Sequence, residues 1–266
     1  MPGHAQSIPI TGFCLRLTSL LYLSLFAFTT LSLGNTIIAT GVDGTRGESI
    51  WINADGTPQS LYFAGVIFIS LSQDGRQYSR DTLCVDLFTD IYLGVAYNNS
   101  VLTPNAIPGR SLDRVSWLVD NALLPTQGPI YTSALPSTDW VQSVAQGAGI
   151  QLAIWDITHD GGDGFSNGRV QKSTSTTPGQ ETDPSVLSWA TTYETLSAGQ
   201  SSNLAFVYRN WATDLAGTPA QMLEGPMFTD GGPVPAPEPA TCLLAGGALI
   251  AIGLCGRRKR GPARLR

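Results

Sequence analysis

Two hydrophobic periods alternate along the chain. Leu61 to Ser72, LYFAGVIFISLS, places β-branched and aromatic residues at both alternating positions, the pattern of a strand covered on both faces. Gly56-Thr57-Pro58 before it and Asp74-Gly75 after it supply turns. Arg80 to Phe88 predicts a second strand, with Leu83, Val85 and Leu87 on one side and Cys84, Asp86 and Phe88 on the other. The period then becomes helical. Ser111 is placed to cap a helix over 112–123, and Asp139 to cap a longer one over 140–160, whose stripe runs Trp140, Val144, Gly147, Ala148, Gln151, Ile154, Trp155. Gly161, Gly162, Gly164 and Gly168 end that helix in a loop, and 172–184 reads as a Ser/Thr-rich surface stretch. A third helix is expected over 184–196 and a strand over 203–211. The sum is an α+β fold: β-sandwich or barrel-like strands with a helical insertion, in a single domain over 35–224.

Both ends depart from this pattern. Leu17 to Leu33 is an uncharged apolar run behind Arg16, and Ser32-Leu33-Gly34 offers a small-x-small cleavage site, so 1–34 reads as a signal peptide. Residues 225–240 form a Pro/Gly-rich linker. Thr241 to Gly256 is a second apolar run, read as a short membrane segment, and 257–266 is a basic cytoplasmic tail carrying Arg257, Arg258, Lys259 and Arg260.

Removing the ends changes the charge. The whole chain is at −5, but the body from Asn35 to Val234 keeps eight basic and nineteen acidic side chains, a net of −11. Such a body repels phosphate backbones, so nucleic acid is excluded as a partner, and export excludes a cytoplasmic enzyme.

Cys84 is the sole cysteine of the body, since Cys14 lies in the signal and Cys242 and Cys255 in the C-terminal apolar run. It therefore has no partner for an internal disulfide. Gln151 interrupts an apolar helix stripe, and a buried carboxamide is costly unless its donors and acceptor are met. Cys84, on a strand this helix would pack against, is a candidate partner. A thiol held against a carboxamide in a dry pocket can displace ammonia to give an internal thioester. The plain readings are a cysteine acting as a small buried hydrophobe and a glutamine bonded to loop backbone.

Asp86 shares the face expected for Cys84 and is an auxiliary candidate. His159, the remaining body histidine, would make a hydrolase dyad with Cys84, although no third orienting group is evident. One Cys and one His do not make a zinc site. Asp156, Asp160 and Asp163 form an acidic Gly-rich segment that does not fit the twelve-residue EF-hand spacing, so it reads as a solvated loop. No metal or cofactor is expected. Trp117, Trp140, Trp155 and Trp189 fall on or beside helical stripes and read as core residues, not carbohydrate platforms.

Two resemblances add to this reading. Leu83 to Asp86 (LCVD) and Ile150 to Ile157 (IQLAIWDI), after the YFAG run at Tyr62 to Gly65, resemble the paired signatures of thioester domains, found on bacterial surface adhesins. The resemblance implies that Cys84 and Gln151 form a cross-link able to capture an amine on a protein or glycan, without enzymatic turnover. The tail, with Pro237-Glu238-Pro239, an apolar run and an arginine cluster in that order, resembles the PEP-CTERM sorting signal of Gram-negative bacteria. It implies processing by an exosortase-type protease, a transient inner-membrane anchor, and delivery to the cell surface or extracellular polysaccharide matrix. The competing expectation is a passive structural, biofilm-associated protein with no reactive thioester.

Overall fold

A computed structural model describes residues 35–73, 76–123, 132–212 and 219–226. The expected signal peptide, the expected sorting residues Pro237, Glu238 and Pro239, the C-terminal apolar run and the basic residues Arg257, Arg258, Lys259 and Arg260 lie outside the described residues. Among those described, no helix is long and apolar enough to cross a membrane.

The domain is mixed α+β, with antiparallel strands and a few helices. Its strands are β1 (Asn35–Ala54), β2 (Thr57–Gln73), β3 (Arg76–Cys84), β4 (Ala96–Leu102), β5 (Val170–Lys172), β6 (Phe206–Ala212) and β7 (Leu223–Gly225). The sheet runs β2-β3-β7-β6-β4-β1-β5, and β1 also pairs with β2, so six strands join in a hydrogen-bonded ring. One long strand makes this closure. β1 pairs along nearly its whole length with β2, while Asn35 to Ile38 also pair with β4 and Ile52 to Ala54 with β5. Register shifts interrupt its pairing with β2 at three places, the local kinks by which a strand changes direction.

The helices are α1 (Leu112–Leu118), α2 (Val144–Asp160) and α3 (Pro184–Ser197). A π-helical turn, Val119–Leu123, continues α1. Ser111 does not cap it. Its φ of 49° is left-handed and its side chain makes no capping bond. For α2 the cap is Ser143, whose hydroxyl accepts from Gln146 N–H, while Asp139 ends a separate 3-10 turn, Ser137–Asp139. Ser143-Val144-Ala145-Gln146 has the Ser-x-x-Gln form of a capping box, and Gln146 Oε1 turns back to accept from Gln142 N–H.

The stripe expected on α2 is in fact the whole circumference. Every residue from Gln146 to Thr158 is buried, as in a helix enclosed on all sides. Small residues make the enclosure possible. A Cβ on Gly147 would overlap the Arg46 carbonyl of β1, and one on Gly149 would press on Trp189 of α3. Trp155 is buried, and Trp117, Trp140 and Trp189 pack partly buried against the core. The Ser/Thr-rich stretch is less exposed than expected. Ser173 and Thr182 are buried, and the Thr182 hydroxyl receives Ser173 N–H and donates to Trp51 O.

Candidate functional site

The site lies where a strand ends against the enclosed helix. The strand expected over Arg80 to Phe88 stops at Cys84, and Asp86 lies in the loop that follows. Registered pairing of β3 with β2 ends at Thr82 opposite Ile67, whereas on the other side Cys84 still faces Leu223 of β7. Past Thr82 the main chain therefore needs other partners.

Gln151 supplies them. Its Oε1 accepts from Cys84 N–H at 2.9 Å and its Nε2 donates to Cys84 O at 2.6 Å. A side-chain carboxamide presents the donor and acceptor of a peptide group, so Gln151 stands in for the missing strand. Both residues are sealed, Cys84 being 2% and Gln151 1% exposed. The pairing expected for Gln151 is thus made with the main chain of Cys84. The thiol itself donates to Asp86 O at 3.1 Å, and Gln221 Nε2 donates to the same carbonyl at 3.1 Å.

Burial pushes the Cys84 thiol up to about 12; the Trp155 indole N–H and the Gln221 amide near the sulfur oppose the rise, and the Asp86 charge adds to it. At neutral pH the sulfur is protonated. The site therefore holds a neutral, buried thiol and, clasped to the main chain of the same residue, a buried carboxamide. Close approach and water exclusion are the conditions under which a thiol can replace ammonia on an amide.

Asp86 and His159 lie beside this pair. The Asp86 carboxylate accepts from Phe88 N–H at 3.3 Å and sits 3.5 Å from Arg110 Nη1. His159 Nε2 accepts from Leu87 N–H at 3.2 Å, lies 3.9 Å from Asp86 Oδ1, and the ring meets Phe88 edge to face. Burial lowers His159 to about 4, against the raising influence of Asp86, so it is neutral at pH 7 with Nε2 as acceptor. The Cys84 thiol and His159 Nε2 are each bonded to main chain instead of to one another.

The structure also shows buried carboxyls that hydrophobic patterning did not mark. Glu224 of β7 has no exposure, and neither of its oxygens has a hydrogen-bond donor. Asp120 is raised to about 6 by burial, although Ser202 donates to it. Glu194 of α3 shares a hydrogen bond with Asp156 of α2; burial raises both carboxyls, and that bond raises Glu194 further while opposing the rise at Asp156. For Glu194 the available signal was its place beside the buried Val186, Ala190, Tyr193, Ser197 series. The acidic segment is not wholly a solvated loop, because Asp156 has no exposure.

Fold and site together define a mixed α+β domain in which a helical glutamine clasps a cysteine at a strand terminus. No family model, curated protein or solved structure matches the chain.

Proposed function

We propose that this chain is an exported surface or extracellular-matrix protein whose domain, a barrel-like strand layer with a helical insertion, forms an internal thioester between Cys84 and Gln151. The bond serves a single covalent capture. The Cys84 thiol adds to the Gln151 amide carbon, and the amide nitrogen leaves as ammonia with the thiol proton. An amine on a protein or glycan target then attacks the acyl carbon, an amide forms, and Cys84 is released as thiol with the proton from the amine. In this reading the tail is sorted by an exosortase-type protease, and the apolar segment anchors the protein transiently.

The observation that carries the reading is the double hydrogen bond between the Gln151 carboxamide and Cys84, residues 67 positions apart in sequence. It supports the reading by holding the Gln151 carboxamide on the main chain of Cys84, with both residues buried. The resemblance to thioester domains rests on the same two residues.

A second reading is favoured by the thiol's own bonding. With Sγ donating to Asp86 O and its pKa near 12, the clasp serves as a strand-end lock in a passive matrix component. Intact mass of the purified full-length protein, before and after methylamine, separates the two. Reactive capture gives a mass short by one ammonia, restored as a methylamide mapped to Gln151 with release of the Cys84 thiol. Cys84→Ala removes both changes and leaves the domain folded. A full sequence mass and no methylamide at Gln151 would leave only the lock.

A further inference from the structure

Trp155 is the largest side chain of α2 sealed from solvent, at 1% exposure, and its one polar atom is not satisfied. The indole Nε1 is buried with no hydrogen-bond acceptor among the described residues. A donor left in that state is costly to a folded chain. Its place on the helix shows what it faces. Trp155 lies four residues beyond Gln151, so the two side chains share one face of α2, and Gln151 is the residue clasped to the Cys84 main chain. Tyr62 of β2 holds the indole ring in an edge contact, the centroids 6.1 Å apart. The indole N–H comes near the Cys84 sulfur, where it favours thiolate over thiol. A neutral thiol is a weak acceptor, which accounts for a donor that stands beside it and remains unsatisfied.

Gln221, just before β7, reaches the same sulfur. Its Nε2 donates to Asp86 O at 3.1 Å, the carbonyl that also receives the Cys84 thiol at 3.1 Å. A carboxamide nitrogen carries a second hydrogen, and Gln221 too favours charge on the sulfur.

We propose that Trp155 Nε1–H and Gln221 Nε2–H form a donor pair that receives the Cys84 sulfur as it leaves, with Trp155 a catalytic residue of the capture step. The inference rests on the thioester reading. When an amine attacks, its nitrogen bonds to the Gln151 acyl carbon and the carbon–sulfur bond breaks. The electron pair of that bond passes to Sγ, and the proton shed by the amine ends there, giving the thiol. Until the proton arrives the sulfur carries negative charge in a buried place. An N–H that engages a thiol weakly engages a thiolate strongly. The donors therefore stabilise the departing sulfur more than the resting site, which is the condition for acceleration.

Two measurements on the full-length protein test this. The first holds whether or not the thioester forms. In nitrogen-15 spectra, with the Trp155 indole signal assigned by its loss in Trp155→Phe, Cys84→Ser moves the indole proton downfield of its position in Cys84→Ala, because a hydroxyl accepts where a methyl cannot. Coincident signals would overturn the placement of Trp155 against the sulfur. The second is the rate of capture. Second-order rate constants for methylamine and for hydrazine are expected to fall at least tenfold in Trp155→Phe, and by the same factor, since both nucleophiles expel the same sulfur. Should phenylalanine loosen the core, the benzothienyl isostere of Trp155 keeps the ring and lacks the N–H, and it shows the same loss. An isostere reacting at the wild-type rate would leave Trp155 a packing residue and the thioester reading intact. A wild type of full sequence mass, in contrast, would remove the thioester and this step with it.

Discussion

A histidine held neutral beside a carboxylate shows how far burial governs single residues in this domain. His159 lies 3.9 Å from Asp86, a neighbour that favours the imidazolium, yet burial outweighs it and lowers the group from 6.5 to about 4. Unfolded chain takes up a proton near pH 6.5 that the folded chain refuses until about pH 4, so stability is lost as pH falls through that window. His159→Gln retains an acceptor for Leu87 N–H and removes the titration. Melting temperatures from pH 7 to 4 are expected to fall less in this variant than in the wild type. Parallel curves would show that His159 titrates normally. The same reasoning keeps Cys84 protonated, and its pairing with Gln151 was legible because a carboxamide among apolar residues must find partners. That the partner is Cys84 main chain, with the thiol turned to Asp86 O, was not legible, because it depends on β3 ending at Cys84.

At the scale of the element, α2 is positioned by what its residues lack. Gly147 lets the helix backbone meet the Arg46 carbonyl, and Gly149 makes room for Trp189, so Gln151 one turn further on reaches Cys84. Gly147→Ala sets helix propensity, which favours alanine by about 1 kcal/mol, against a backbone overlap that no rotamer relieves. Overpacking of this kind costs about 1–3 kcal/mol. A net loss of stability in denaturant is therefore expected, together with loss of any methylamine adduct at Gln151 as the helix is pushed from β3. A more stable variant would show that the contact is loose. The helix itself was readable from its period, but its start was misplaced, because Asp139 offers a cap and the true cap, Ser143, lies four residues later. Burial on all faces was not readable, since it is conferred by β1, β2 and α3 from distant parts of the chain.

For the whole molecule, ring closure depends on a three-residue strand that carries a buried acid. β7 links β3 to β6, with Glu224 opposite both Leu83 and Val207. Burial, with Asp120 and Asp113 nearby, raises Glu224 well above its ordinary value. Its unfolded form ionises near 4.5 while the folded form keeps its proton, so stability falls as pH rises above about 4.5. One proton contributes on the order of 1 kcal/mol per pH unit over that window. Glu224→Gln preserves shape and removes the acid. The variant is expected to match the wild type near pH 4.5 and to exceed it in melting temperature by pH 8. An unchanged difference between the two across this range would exclude Glu224 as the titrating group.

Local chemistry in the sequence determined the α+β class, the strand over 61–72, the three helical segments and the two residues of the clasp, because period and residue type act over a few neighbouring positions. Tertiary structure alone decided the rest. The twenty-residue β1 was not foreseen, since its register shifts and glycines blur any period and its partners β2, β4 and β5 lie elsewhere in the chain. The acidic segment at the end of α2 read as a solvated loop, yet packing against α3 removed Asp156 from water and set Glu194 against it. A carboxylate's sequence neighbours do not report its solvation, which depends on what the folded chain lays over it.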